Sequence, residues 1–300
     1  MITVRPVEND ADIDTFVEIR RRIQPESPLP REAVVESREQ ADHLALLAEL
    51  DGEPVGAASA GKFWGDPDGE LAVVNIRVVA EARRRGVGTA LDVRCSQHAR
   101  ELGKARLFTF ARHDDEDSLG YFAARGFEEL GRMQDVRLDL SSAAVERSAP
   151  GGIEIAVLAD EHEHGMYEAA LEADADIPSA MPIRTGTFER WRERHLGGRV
   201  LRELCFVALE NGRVVGYAIL GRHNEDTAEH WMTGVRRSAR GRGVALALKQ
   251  AQIAAAKDAG WTSLRTENDL GNAAMRRVNE KLGYERKSEW LQLGGPLLGA

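Results

Sequence analysis

The chain has 300 residues, 43% of them hydrophobic and 30% charged, with a net charge of −9. That length and apolar content suit two domains that each bury a core, and the acidic balance argues against general binding to nucleic-acid backbone, which selects a basic face. The first ten residues are charged, no later stretch approaches the ~18 uninterrupted apolar residues of a membrane span, and two cysteines, Cys95 and Cys205, give no disulfide framework. A soluble, cytoplasmic protein without metal, membrane or nucleic-acid partner is expected, with monomer and homodimer both open.

In chain order the pattern opens with a short alternating strand, "ITVRPV", and helices over about 10–22 and 31–41. Strands "LALLAEL" and "EPVGAASA" flank Asp51-Gly52, a two-residue hairpin signal. A strand over 70–78 leads through "RRRGVG" into a helix ending near 102, then a strand at 105–110, a helix at 117–125 and a strand pair over 127–138. Residues 141–152, "SSAAVERSAPGG", are small and polar with Pro and Gly, and read as a linker.

After the linker the order repeats. A strand "IEIAVL", helices near 162–174 and 187–196 and a strand "LCFVALE" lead to an Asn211-Gly212 turn. Strands at 213–222 and 228–235 follow, then a glycine-bearing loop, a helix to about 259, a strand at 261–267 and a helix at 272–282. The two halves align without a gap at a spacing of 157 residues: "RRRGVGTAL" at 83–91 falls on "RGRGVALAL" at 240–248, Thr109 on Thr266, Gly126 on Gly283 and Phe127 on Tyr284. The chain is a tandem duplication of a mixed α/β, α+β-like unit, with domains expected at 1–140 and 153–300.

Each half enters its longest helix from a strand through an arginine-glycine loop. A helix start exposes four unpaired N–H groups and the positive end of its dipole, and glycine lets a phosphate approach them. The third glycine of a dinucleotide fingerprint is absent, with Leu91 and Leu248 in its place, and neither copy has the Lys-Ser/Thr of a mononucleotide loop. Read from the residues alone, the loop is a phosphate cradle or a solvated charged helix start.

"VVAEARRRGVGTAL" and "VRRSARGRGVALAL", with the closings "FAARGF" and "NEKLGY", resemble the GNAT family of N-acetyltransferases over nearly the whole chain. The resemblance implies two tandem GNAT-like domains, each with a mixed central sheet flanked by helices, and acetyl-CoA as co-substrate. It implies cofactor contacts at Ile76, Val78, Arg83, Arg84, Arg85, Gly86, Val87 and Gly88 in the first half. In the second they fall at Thr233, Val235, Arg240, Gly241, Arg242, Gly243, Val244, Ala245 and Asn268. Asn272 is either a further ligand or a helix N-cap.

Acetyl would pass to a primary amine, expected to belong to a small molecule, by direct attack in a ternary complex. Glu229 stands where some members keep a general base. Strand alternation would put Glu229, Trp231, Thr233 and Val235 on one face and His230 on the other; the alternative is a solvated strand-end carboxylate. The first-half residue at this position is Ala72, which favours catalysis in the second half. The tyrosine suited to protonating the thiolate is replaced by Phe122 and Asn279, so Asn279 is the candidate donor, and a non-catalytic CoA-sensing or scaffold module is the rival reading. Glu172, Asp174 and Asp176 could receive a cationic amine or form a solvated acidic turn.

Overall fold

A computed structural model describes every residue except 26–28, 145–147, 180, 182 and 300, so the expected linker and the connection after Asp174 lie partly outside the described residues. The chain divides into two compact units, Met1–Leu130 with Leu291–Ala300, and Gly131–Trp290. No helix among the described residues is long and apolar enough to cross a membrane.

The first unit contains β1 (Ile2–Pro6), α1 (Asp10–Ile23), α2 (Arg31–Arg38), β2 (Leu44–Leu50), β3 (Glu53–Lys62), β4 (Leu71–Val78), α3 (Val87–Glu101), β5 (Arg106–Arg112) and α4 (Glu116–Ala123). Its strands run in the order β1-β2-β3-β4-β5, antiparallel except for the parallel pair β4 and β5. Helix α1 starts because the Asn9 side chain accepts from Asp12 N, and it buries Ile13, Phe16 and Ile19 against the sheet. Helix α3 packs on the other face, with Val87, Leu91 and Cys95 against Ala58, Ala72 and Val74.

The residues after α4 form one continuous strand, β6 (Glu128–Asp139), where a strand pair was expected. The second unit takes its residues 131–139 and adds β7 (Glu154–Val157), α5 (Glu163–Asp174), α6 (Phe188–Leu196), β8 (Phe206–Glu210), β9 (Arg213–Arg222) and β10 (Thr227–Val235). Helix α7 (Val244–Asp258), β11 (Ser263–Asp269), α8 (Ala273–Lys281) and the start of β12 (Glu285–Pro296) complete it. The strand order is β7-β8-β9-β10-β11-β6, with β10 and β11 parallel.

The compact units therefore do not coincide with the sequence repeats, because the closing strands are exchanged. Strand β6, which ends the first repeat, runs antiparallel to β11 from Met133↔Asp269 to Asp139↔Ser263 and buries Val136 and Leu138 with Leu264 and Tyr284. Residues 291–296 of β12, which end the second repeat, lie beside β5, where Leu291 and Leu293 join Leu107, Phe122 and Phe127. Both closing strands alternate apolar and polar residues, so each offers the apolar face that the other's place requires.

Candidate active site

Strand β10 pairs with β11 only at Thr227↔Ser263, Ala228↔Leu264 and Glu229↔Arg265. Beyond Glu229 the two parallel strands part: among the described residues no register pair joins His230–Val235 to β11, and Thr266 Oγ1 of β11 donates to the His230 carbonyl at 3.4 Å. On its other side β10 follows β9, with a register shift between His230 and Met232 that leaves Trp231 unpaired. This β-bulge reverses the alternation of the strand. Trp231 and Met232 both pack with the α5 cluster, while Val235 packs with Val244 and Leu248 of α7. The single face expected for Glu229 and Val235 is thus corrected: the bulge puts them on opposite faces.

The strand leads through Arg236 and a short 3₁₀ turn, Arg237–Ala239, into the arginine loop. Gly243 caps α7 in the left-handed conformation with φ +86°, and the nearest atom a Cβ there would meet is Pro150 Cγ at 3.8 Å. The space in front of the helix start is open, and the N–H groups of the first turn point into it. The arginines are less free than their number suggests. Arg240 donates through Nε to the Val235 carbonyl at 3.0 Å and pairs with Asp176 at 2.7 Å, and Arg242 pairs with Glu210 at 2.8 Å. Glu172 meets Arg236 at 2.9 Å and Asp176 also meets Arg237 at 2.7 Å. Glu172, in the last turn of α5, and Asp176, just beyond it, therefore hold the loop. Buried Asp174 differs: its Oδ2 accepts from Thr185 at 3.0 Å, and its carboxylate faces the buried Tyr217 hydroxyl.

Glu229 sits in a charged cluster, not in bulk water. Its carboxylate lies 3.5 Å from His223 Nδ1 and 3.3 Å from an Arg265 terminal nitrogen. Arg265, itself buried, also reaches Asp135 at 3.3 Å and Glu267 at 2.5 Å. Burial raises the Glu229 carboxyl, but the His223 hydrogen bond and the Arg265 charge outweigh it and hold the group below the usual glutamate range. His223, Arg265 and Asp135 escaped the sequence reading. Asp135 belongs to the exchanged β6, and only the register Asp135↔Glu267 and Arg137↔Arg265 brings it here.

On the α7 side His230 is buried, with Nδ1 2.9 Å from Gln252 Oε1 and Nε2 2.5 Å from the Tyr284 hydroxyl. Burial drives its pKa well below the ordinary value, so it stays neutral and its two nitrogens are occupied. Two buried amides have unmet bonds: Asn268 Nδ2 on β11, and both Nδ2 and Oδ1 of Asn279 on α8. Buried polar atoms are ordinarily paired, so these mark a place for a polar ligand. Asn272 caps α8, its side chain accepting from Met275 N at 3.1 Å.

The first unit repeats the outline and lacks the detail. Strands β4 and β5 also part after Leu71↔Arg106, Ala72↔Leu107 and Val73↔Phe108, yet β4 follows β3 without a bulge. Gly86 caps α3 at φ +88°, but Arg84 takes a left-handed φ of +61° where Gly241 stands in the second unit. Arg83 faces Asp115 and Asp117 at 3.9 and 3.4 Å, and Arg85 faces Asp51 at 3.7 Å. Ile76 and Val78 line the α3 face of β4. The groove between α3 and α4 is bridged: Tyr121 donates to the Gly88 carbonyl at 2.9 Å, and Arg125 lies 3.6 Å over its ring and reaches Thr89.

In the second unit parallel strands part beside a helix N-terminus, the arrangement of strand edge and anion site that an acyltransferase of the CoA-dependent class is built on. The acetyltransferase (GNAT) family model matches residues 13–127 and 164–284, and the chain belongs to that family. Among curated relatives, the mycothiol acetyltransferase of Actinosynnema mirum is 26% identical over 252 residues, 80% of each chain. That of Thermomonospora curvata is 27% identical over 266 residues, 87% of this chain and 84% of its own. Among solved structures, a GCN5-related N-acetyltransferase from Sphaerobacter thermophilus superposes with TM-score 0.81 at 22% identity, covering 100% of this chain and 96% of its own. A tandem GNAT protein from the clavulanic acid biosynthesis pathway gives 0.79 at 20% identity, with both chains fully covered.

Proposed function

We propose that the second unit transfers acetyl from acetyl-CoA to a primary amine of a small molecule by direct attack in a ternary complex. The observation that carries this reading is the bulge of β10 at Trp231 together with the orphaned amides of Asn268 on β11 and Asn279 on α8, a combination the first unit lacks. The open approach to Gly243 fits the pyrophosphate on the first-turn N–H groups of α7, with residues 240–245 around it. Thr233 and Val235 offer the unpaired strand edge to the pantetheine arm, and Asn268 offers its amide.

In the reaction the amine nitrogen bonds to the thioester carbonyl carbon, the C–S bond breaks, and the ammonium proton leaves. Glu229, ionised at neutral pH, takes that proton directly or through a water. Asn279 Nδ2 donates to the departing thiolate. Acetyl transfer is the property carried over from the relatives. Calorimetry with acetyl-CoA, combined with thiol release over an amine panel, tests the proposal. Binding with no acceptor-dependent release across the panel would refute it.

A further inference from the structure

The first unit has a wall that its repeat partner does not. The face of its sheet beneath α1 is apolar at Ala45, Leu47 and Ala57 and turns polar where β4 leaves β5. There Ser59 pairs in register with Asn75, and Ala57 with Arg77. The register-equivalent residues of the second unit are Ile219 with Met232 and Tyr217 with Gly234. Arg20 comes from the last turn of α1, four residues beyond buried Phe16 and three before Ile23, so it shares the helix face that meets the sheet. Gln24 follows directly.

These cations are not neutralised from within. Arg77 donates through Nε to Gln24 Oε1 at 3.1 Å and through a terminal nitrogen to the Ile76 carbonyl at 3.0 Å. Among the described residues neither Arg77 nor Arg20 has a carboxylate within ion-pair distance, and Arg20 Nε is buried with no partner at all. The acid whose charge reaches Arg77, Asp115, caps α4 through Ser118 and faces Arg83. Burial pushes the Arg77 guanidinium down to about 9, with the charge of Arg20 adding to the shift. Two guanidiniums gathered on a sheltered surface cost stability unless an anion joins them, and their planar forks match a carboxylate or phosphate.

We propose that this wall binds an oxyanion group, carboxylate or phosphate, of a small molecule, held by Arg20 and Arg77 with Asn75 and Gln24 beside it. The site is distinct from the phosphate loop at 83–88, which offers backbone N–H groups, and it does not depend on acetyl transfer in the second unit. Titration calorimetry on the full chain with sodium phosphate and, separately, sodium succinate should show saturable binding of at least one, and the stronger names the source. Arg20→Met and Arg77→Met should each weaken it about tenfold or more, the scale of one charge-assisted hydrogen bond. Arg77→Lys, which keeps the charge and loses the fork, should weaken it too and decides the matter if a Met variant fails to fold. The paired variant Gly86→Asp/Gly243→Asp should leave it unchanged. No saturable binding of either anion, or loss in the glycine variant with the arginine variants unaffected, overturns the proposal.

Discussion

Replacing Gly234 by Ala tests whether the α5 wall of the second unit belongs to the reaction site. Gly234 lies on β10, one residue before Val235, and the ring of Tyr217 crosses it. A Cβ there would stand 2.5 Å from Tyr217 Cε1 and 2.7 Å from Cζ, against an ordinary carbon contact of about 3.5–4.0 Å. The ring must therefore move by about 1 Å. It has little room, because Tyr217 is fully buried and its ring meets Trp191 edge-on at 6.4 Å. Overpacking of this kind costs about 1–3 kcal/mol, and at ~2 kcal/mol the Tm of a unit this size falls by about 4–8 °C. Gly234 does not have a positive φ, so the effect is steric rather than conformational. Misplacement of ~1 Å at a reacting centre costs on the order of 10²-fold in rate, so kcat/KM should fall by that factor while acetyl-CoA affinity changes little. Gly61→Ala, whose Cβ would meet nothing closer than Asp42 O at 3.3 Å, is the control in the first unit and should keep wild-type turnover. Steady-state kinetics and thermal melts decide. Wild-type kcat/KM in Gly234→Ala would refute the placement of the wall at the reaction site.

Three further outcomes are expected. Glu229→Gln should lower kcat/KM by about 10²-fold, the low end for a general base because the Arg265 charge and His223 depress its basicity, and the loss should shrink as pH rises towards the amine's own pKa; equal loss at all pH values would exclude the role. Gly243→Asp should abolish measurable acetyl-CoA binding by calorimetry, since it places a like charge and a side chain in the cradle, whereas Gly86→Asp should spare turnover; equal loss of activity in both would refute catalysis by the second unit. Lys249, buried on α7 and pushed down by burial to about 7, destabilises the fold fully below that pH, and the penalty fades between about 7 and the unfolded value near 10.4, because there only the unfolded chain binds the proton. Lys249→Met should therefore raise Tm at pH 7, by the equivalent of up to about 5 kcal/mol at ~1.36 kcal/mol per pKa unit, and the gain should vanish by about pH 10; a gain independent of pH in melts would exclude this cause.

Much of the architecture was legible. The repeat and the arginine loops rest on local signals: Gly243 and Gly86 sit where a left-handed residue is needed, and Asn272, left open between ligand and N-cap, caps its helix. The active-site detail was not. The bulge at Trp231 is one residue of slippage against β9, and nothing in the alternation of β10 alone announces it, yet it decides which way Glu229 and Val235 face. Asp135 was hidden for a different reason. Its role depends on which sheet β6 joins, and strands with equivalent alternation carry no mark of destination. The contrast between Arg77 and Gly234 was not drawn from the sequence; the register shows it, with Ala57 opposite the arginine in one unit and Tyr217 opposite Gly234 in the other.

The exchange of closing strands also sets an order of assembly during synthesis. Everything in the second unit lies between residues 131 and 290, so it can complete as soon as that segment leaves the ribosome. The first unit emerges earlier but must wait for residues 291–296 before the edge of β5 is covered and Leu291 and Leu293 fill its core. The usual vectorial rule, N-terminal domain first, is inverted here. Until residues 291–296 emerge, the nascent first repeat presents an unpaired strand edge, the kind of surface that chaperones shield and that invites pairing with a neighbouring chain. A duplicated gene cut at its linker would yield fragments that each carry the other's last strand, so the two copies are bound to be inherited, and degraded, together.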